Sequence, residues 1–264
     1  MNFGLIIVGD EILSGKREDK HLPKVIELLG ARGLALAWAR YVGDDRWLIT
    51  AALRDAFASG DAVFSCGGIG ATPDDHTRQC AAAALGVELA LHPEAKALIT
   101  QRMRDTAAEK GLPFEPDAPD NIHRLNMGVF PVGAAIISNP FNKIPGFTVG
   151  EVHFVPGFPV MAHPMIEALL ETRYRALHGT LREAEHSVIV YGAMEATLTP
   201  LMEAIEREHA GVRVFSLPSV DHPVHGRHIE LGVKGQAALL APAYAALRIG
   251  LAALGAQTGP ELVR

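Results

Sequence analysis

Short apolar runs alternate with longer amphipathic segments near the start of the chain. Phe3–Val8, Leu34–Tyr41 and Ala62–Ser65 are mainly apolar, which is typical of strands buried on both faces of a parallel sheet. Lys20–Leu29 and Arg46–Ser59 lie between them and repeat their apolar residues with the period of an amphipathic helix. This β-α-β-α-β order predicts a three-layer α/β fold around a mostly parallel sheet.

The later patterns divide the chain into two domains. In the first domain, 1–175, we expect helices at about 73–85 and at Pro93–Lys110, strands at Ala135–Ser138 and Glu151–Val155, and a helix after the turn Pro156–Pro159. Residues 175–184 are polar and contain Gly179, so they predict a linker. The second domain, 186–255, has strands at His186–Tyr191, Val212–Leu217 and Arg227–Val233 and helices at Thr197–His209 and Ala237–Leu254. Its β-α-β-β-α order predicts a smaller α+β domain.

Composition narrows the class of protein. The 264 residues are 48% hydrophobic and carry a formal charge of −6, which counts against a general nucleic-acid binder because such proteins usually present a basic face. Cys66 and Cys80 form no CxxC pair, so a thiolate zinc site is not expected. The N-terminus lacks the pattern of a signal peptide, and no uncharged apolar run is long enough to span a membrane. We therefore expect a cytoplasmic protein without nucleic-acid or membrane partners.

The segment Cys66–Thr77, which follows the third strand, carries the strongest chemical signal. Its glycines Gly67, Gly68 and Gly70 let the backbone approach a ligand and expose amide groups. The positive end of the following helix is expected to point to the same place, which makes a cradle for phosphate. Asp74 and Asp75 stand beside it and predict a site for Mg²⁺ or a similar cation that bridges carboxylate and phosphate.

Helix capping is an alternative explanation of the same residues. Thr72 is a good N-cap residue, Pro73 suits the first helical position and Asp75 suits the third. Capping would account for one carboxylate but not for three glycines. The sequence leaves both possibilities open.

Two further loops also follow strands and should lie on the same rim of the sheet, where ligands of α/β proteins bind. The loop Gly9–Gly15 contains Asp10 and Glu11, which could hold a metal or accept hydrogen bonds from a ribose, or could form a solvated turn. The loop Gly43–Asp45 contains Asp44, which in many proteins would be a helix cap.

Three histidines occur close together in the second domain. His222, His225 and His228 are spaced by three residues, which on an extended strand places neighbours on opposite faces. We expect an exposed turn here in preference to a metal site.

Several of these motifs, in this order, resemble the N-terminal region of CinA-type proteins. Gly9–Gly15 resembles their "GTELLLG" opening, Val42–Asp45 their "VGDN" step and Gly67–Thr77 their "GGLGPTPDDLT" loop. The similarity continues at Phe130–Ala134, Asn139–Pro140, Pro145–Phe147, Pro156–Pro159 and Tyr191–Leu198. Two departures stand out: Asp19-Lys20-His21 replaces the family's "NTN", and Phe158 replaces a proline. The first puts the CinA substrate in doubt, because this segment should border the cleft.

The resemblance implies the MoCF or MogA-like fold and a small-molecule ligand. Members bind molybdopterin or adenine nucleotides such as ADP-ribose or FAD, CinA is associated with metal-dependent ADP-ribose pyrophosphatase activity, and MogA-type enzymes adenylylate molybdopterin. A homo-oligomer is expected as well. Since the sequence ends at Arg264, we do not expect the nicotinamide-mononucleotide deamidase domain that follows in CinA.

These observations combine into one functional hypothesis. A pyrophosphate-containing ligand binds across the rim and is hydrolysed with the help of a metal, Asp44 and Asp10 line the cleft as catalytic candidates, and Asp74 or Asp75 holds the cation. The ligand-binding candidates are Gly9, Glu11, Gly15, Gly67, Gly68, Gly70 and Thr72. The alternatives are a non-catalytic molybdopterin or nucleotide carrier or sensor, and an assembly module whose small domain binds a partner.

Overall fold

The computed structural model describes residues 1–179 and 183–264. These form two compact units, Met1–His178 and Gly179–Arg264, and each unit has its own hydrophobic core. The linker predicted over 175–184 lies partly outside the described residues, at 180–182.

The larger unit is built on a six-stranded sheet. Its strands are β1 (Phe3–Val8), β2 (Leu36–Val42), β3 (Ala62–Cys66), β6 (Ala135–Ile137), β7 (Gly146–Val149) and β8 (Val152–Val155), while β4 (Leu89–Leu91) and β5 (Val129–Pro131) pair separately. The strand order is β2-β1-β3-β8-β7-β6. The first four strands in that order run parallel, and the last two are antiparallel to their neighbours. The predicted mostly parallel sheet is confirmed.

Helices cover both faces of this sheet. They are α1 (Asp10–Leu13), α2 (His21–Gly30), α3 (Arg46–Ser59), α4 (Thr77–Leu85), α5 (Pro93–Glu109), α6 (Pro119–Leu125) and α7 (Pro159–Thr172). Successive side chains of a strand point to opposite faces. Accordingly, Phe3, Leu5 and Ile7 of β1 pack in one core with residues of α2 and α7, whereas Ile6 and Val8 pack in the other with residues of α3, α4 and α5. This arrangement is the three-layer architecture that the apolar runs predict.

The smaller unit is an antiparallel sheet packed with two helices. Its elements are β9 (Glu183–Tyr191), α8 (Glu195–Glu208), β10 (Val212–His222), β11 (Gly226–Gln236), α9 (Ala237–Ala253) and β12 (Gln257–Val263). The strand order is β10-β11-β9-β12. Strand β12 lies beyond the predicted boundary at 255. Gly259 and Pro260 are uncommon inside strands, so the sequence did not predict β12. Both residues are tolerated there because β12 is an edge strand with an irregular register between Thr258 and Glu261.

The helix predicted from about residue 73 begins later than expected. Helix α4 starts at Thr77 with His76 at its N-cap, and residues 73–74 form a turn. Thr72 and Pro73 satisfy the local rules for a helix start, but the carboxylate of Asp75 instead bonds to the loop that precedes it. These bonds connect Gly70 and Thr72 to Asp75 in the loop that precedes α4.

No helix in the described ranges is long and apolar enough to cross a membrane.

Candidate functional site

The carboxyl ends of β1, β3 and β8 meet at one cavity of about 340 Å³, which we call the rim cavity. The predicted residues that line it are Gly9, Glu11, Asp44, Gly67, Gly68, Gly70, Thr72, Asp74 and Asp75. The loops after the four neighbouring strands β2, β1, β3 and β8 therefore lie together, at the edge where α/β sheets bind ligands. Asp10 and Gly15, which were predicted with them, are not part of its wall.

Two glycines allow the strand ends to come this close. Gly67 has a φ of +104°, and a Cβ atom there would lie 2.3 Å from the backbone oxygen of Val8. Gly68 has a φ of +67°, and a Cβ atom there would lie 2.1 Å from Oγ1 of Thr77. Any larger residue would displace backbone or a buried side chain, so both positions require glycine.

Asp75 holds the glycine loop in shape. Its Oδ1 accepts a hydrogen bond from the Gly70 amide at 2.9 Å. Its Oδ2 accepts from the Thr72 amide at 2.8 Å and from the Thr72 hydroxyl at 2.5 Å. The explanation of Asp75 as a cap of the following helix is wrong, because α4 begins only at Thr77 with His76 at its N-cap, so Thr72 and Asp75 do not occupy its first turn. Since both oxygens are engaged, Asp74 is the better candidate of the two for a cation.

Arg78 supports the same loop from within the protein. Its side chain is 5% exposed, and its guanidinium donates to the carbonyl oxygens of Ile69 and Gly70, each at 2.7 Å. The loop is thus bound through its amides by Asp75 and through its carbonyls by Arg78.

Of the three glycine amides in the predicted phosphate cradle, two donate to acceptors inside the protein. The Gly67 amide donates to the carbonyl of Val155 at 3.0 Å, and the Gly70 amide donates to Asp75. Of the three glycine amides, that of Gly68 has no acceptor within the described part of the chain. This narrows the expected phosphate contacts, because two of the three amides are used inside the protein.

Asp10 and Asp44 bind each other's backbone. The Asp10 amide donates to the Asp44 carboxylate at 2.9 Å, and the Asp44 amide donates to the Asp10 carboxylate at 3.1 Å. This reciprocal pair joins the ends of β1 and β2. It leaves Asp44 in the cavity wall and places Asp10 behind it, where it supports Asp44.

The rim cavity is acidic. Burial raises the pKa of Asp44, and the negative charges of Asp10, Glu11 and Asp74 raise it further, although a backbone hydrogen bond from Asp10 opposes this. A cation would relieve this repulsion. Within residues 1–179 and 183–264, however, no group of three or more His, Cys, Asp or Glu side chains is arranged to hold a metal ion.

Arg17, Gly157 and Phe158 also line the cavity, and the sequence did not single them out as site residues. Gly157 and Phe158 directly follow β8, so the strand-end rule that found the other loops could have found them. Arg17 lies 6.0 Å from the centre of the Phe158 ring, and no local pattern predicts this contact.

The segment Asp19-Lys20-His21, which departs from the CinA pattern, does not line the rim cavity but contacts a residue that does. Asp19 accepts hydrogen bonds from the amides of His21 and Leu22 at the start of α2. The buried ring of His21 bonds through Nε2 to the carbonyl of Gly157 at 3.0 Å. This segment therefore helps to position the loop that carries Phe158.

The three histidines of the smaller unit form a cluster at the hairpin between β10 and β11. The ring centres of His222, His225 and His228 are 4.9–5.5 Å apart, so the expectation of opposite faces is wrong. The chain turns between His222 and His228, which brings the rings together. The Nδ1 atom of His222 accepts from the amides of Val224 and His225, which indicates a structural role in the turn.

Comparison with known proteins identifies the larger unit. The sequence profile of the MoCF_biosynth family, described as "Probable molybdopterin binding domain", matches residues 4–178. The chain belongs to this family. The match supports a molybdopterin-related binding role for the larger unit, which contains the rim cavity.

Relatives of the chain confirm its resemblance to CinA-type proteins. A CinA-like protein of Syntrophotalea carbinolica is 30% identical over 220 residues, which cover 78% of this chain and 50% of the relative. A protein of Pyrobaculum calidifontis is 30% identical over 232 residues, which cover 85% of each chain. The chain thus spans about half the length of that CinA-like relative.

A solved structure of a CinA protein from Thermoplasma acidophilum, whose function is unknown, also resembles this chain. It is 29% identical with a TM-score of 0.53, and the similarity covers 64% of this chain and 96% of that one. The similarity therefore extends over nearly the whole of that protein.

Proposed function

We propose that the chain binds molybdopterin or an adenine dinucleotide-type pyrophosphate ligand in the rim cavity. With a divalent cation it hydrolyses the pyrophosphate bond of a ligand such as ADP-ribose or FAD. The observation that carries this proposal is the convergence of Glu11, Asp44 and Asp74 with the Gly68 amide around one cavity. Carboxylates alone would repel phosphate, whereas a cation shared between carboxylate and phosphate makes the two compatible.

Phe158 is suited to the aromatic ring of such a ligand. It lines the cavity and is 53% exposed, although aromatic side chains of this size are usually buried. Offset stacking of a pterin or adenine ring on this face would bury apolar area. The guanidinium of Arg17 on the same wall can donate to a phosphate oxygen.

The carboxylates present are chemically suited to a hard cation such as Mg²⁺. Mg²⁺ is commonly held by one or two carboxylates together with substrate phosphates and water, so the Asp74 carboxylate would suffice when the ligand is present. When bound, the cation would polarise the phosphorus and lower the pKa of its water. The Asp44 carboxylate, whose pKa is raised by burial, would accept a proton from the attacking water.

A second candidate is a carrier that holds molybdopterin without converting it. The description of the matching family, a probable molybdopterin binding domain, favours it, because that description names binding and no reaction. Turnover distinguishes the two candidates: only the enzyme releases AMP from ADP-ribose or FAD when Mg²⁺ is added.

Asp44→Asn is expected to lower Mg²⁺-dependent hydrolysis of ADP-ribose by about 100-fold, because the variant loses the proton acceptor. The asparagine oxygen can still accept from the Asp10 amide, so the melting temperature should hardly change. Asp74→Asn should raise the Mg²⁺ concentration that is needed. Product release measured over a Mg²⁺ titration checks both variants.

Asp117→Asn is the matched control, because Asp117 is exposed in the same unit and lies outside the cavity wall. Activity of Asp44→Asn and Asp74→Asn equal to that of the control would exclude the roles proposed for these two carboxylates. Absence of AMP release from the parent chain would exclude hydrolysis and leave the carrier function.

Residues 1–179 alone should bind the same ligand with an affinity within about tenfold of the full chain. Among the described residues, those that line the rim cavity all belong to the larger unit, and that unit has hydrophobic cores of its own. Calorimetry with both chains, after circular dichroism has shown that the shorter one is folded, measures this. Loss of binding in a folded 1–179 chain would show that the smaller unit contributes to the site.

A further inference from the structure

A second cavity adjoins the rim cavity at the loop Ala71–Asp75. It has a volume of about 370 Å³, and we call it the arginine cavity. Its charged and imidazole side chains are Arg46, Asp75, His76, Arg78 and His123. Residues of the loop belong to the walls of both cavities.

The two cavities have opposite charge. The rim cavity is lined by the carboxylates of Glu11, Asp44, Asp74 and Asp75 and by one guanidinium, that of Arg17. The arginine cavity is lined by two guanidinium groups and one carboxylate, that of Asp75. In the arginine cavity the oxygens of Asp75 are already engaged by loop donors. An anion that lacks a metal ion would therefore be repelled by the first cavity and attracted by the second.

Arg78 is a buried charge without a close counterion. Its side chain is 5% exposed, and it donates to two carbonyl oxygens. Asp75 attracts it electrostatically, but no carboxylate of the described chain lies within the 4.0 Å of an ion pair. Charged side chains are almost never fully buried unless they are paired. An anion in the arginine cavity would supply the missing negative charge.

Arg46 is the second, accessible cation of this cavity. It is the first residue of α3, where a positive charge interacts unfavourably with the helix dipole. Its side chain is exposed, and within residues 1–179 and 183–264 it forms no ion pair. The guanidinium is therefore available to bind phosphate oxygens in the paired geometry that arginine favours.

We propose that the arginine cavity is a metal-independent site for a phosphate or pyrophosphate group. Arg46 binds the anion directly, and the buried charge of Arg78 stabilises it from below the loop. His76 and His123 provide further ring nitrogens in the same wall. This site is separate from the cation-dependent chemistry proposed for the rim cavity.

Titration calorimetry of the full chain in EDTA tests the proposal, with pyrophosphate, inorganic phosphate and ribose 5-phosphate as probes. We expect pyrophosphate to bind, and we expect Arg46→Gln to weaken it by about tenfold, since one charged hydrogen-bonding group is lost. Comparison of inorganic phosphate with ribose 5-phosphate shows whether the cavity takes free or esterified phosphate. Arg78 is left unchanged because it also holds the loop.

Arg54→Gln is the matched control. Arg54 is exposed on the same helix, outside both cavities, and the substitution changes the net charge equally. Equal effects of the two substitutions would show general electrostatic attraction and overturn the proposal, as would the absence of pyrophosphate binding in EDTA. A chain that hydrolyses ADP-ribose with Mg²⁺ but does not bind pyrophosphate in EDTA would keep the proposed function and lose this site.

Discussion

Acidification from about pH 7.5 to pH 4 is expected to lower the free energy of unfolding by about 3 kcal/mol through His153 alone. The side chain of His153 is fully buried. Burial, and to a smaller extent the charge of Arg173, lowers its pKa to about 4 against a weaker opposing effect of the charge of Glu151. In the unfolded chain the pKa is 6.5. Between these two values the unfolded state binds a proton that the native state rejects, so stability falls as the pH falls.

The surroundings of His153 explain why it stays neutral. The Tyr174 hydroxyl donates to Glu151 at 2.7 Å, so its only proton is used there. Nε2 of His153, 2.5 Å from that hydroxyl, must then be the donor, and Nδ1 accepts from the Thr148 hydroxyl at 2.8 Å. A second proton on the ring would make Nδ1 a donor, and the Thr148 hydroxyl would have to rotate and accept from it, but the buried charge would still lack solvent.

Urea denaturation at a series of pH values measures this effect. His153→Gln should flatten the dependence between pH 6.5 and 4, whatever its effect on absolute stability. His123→Gln, a change at an exposed histidine of the same unit, should leave the slope unchanged. Equal slopes for the parent and His153→Gln would show that His153 titrates normally in the folded protein.

Asp75→Asn is expected to destabilise the larger unit by about 2 kcal/mol, because hydrogen bonds to a charged group contribute about 1.5–3 kcal/mol each. Asp75 uses both oxygens for donors in the loop. Asparagine has one oxygen, and its amide group would face either the Gly70 amide or the Thr72 amide. At least one hydrogen bond is lost, and two donors then oppose each other.

Asp45→Asn is an informative control for this substitution. Asp45 is the N-cap of α3 and accepts a single hydrogen bond, from the Leu48 amide at 2.8 Å. Asparagine caps helices about as well as aspartate, so Asp45→Asn should be nearly neutral. Chemical denaturation of the two variants compares them directly. A neutral Asp75→Asn would mean that the loop does not depend on the second oxygen.

The fold was predictable because the central strands β1, β3 and β8 are buried on both faces. Strands such as Phe3–Val8 need apolar residues at every position, so they stand out from the amphipathic helices between them. Strand β12 could not be predicted in the same way. It is an edge strand with Gly259 and Pro260, and its partner β9 is far away in the sequence. Pairing of this kind leaves no local signal.

The location of the candidate site was more predictable than its details. The rule that loops after parallel strands meet at one rim brought Gly9, Asp44 and Gly67 together, as the rim cavity shows. The same rule could not show which loop amides donate to acceptors inside the protein. It also could not show that the Asp75 carboxylate accepts from the amide of Gly70, which precedes it in the chain. Those details depend on side-chain geometry across the loop, and the charge of the adjoining cavity depends on Arg46 from another helix.

The glycine loop is hydrogen-bonded on two sides, through its amides to Asp75 and through its carbonyls to Arg78. This has a consequence for ligand binding. Ordering a flexible backbone costs about 1–2 kcal/mol per residue in conformational entropy. In this protein the loop loses its conformational entropy during folding and not during ligand binding, because the groups that order it are the side chains of Asp75 and Arg78. A ligand meets a loop that is already shaped, so its affinity reflects the contacts that it makes there.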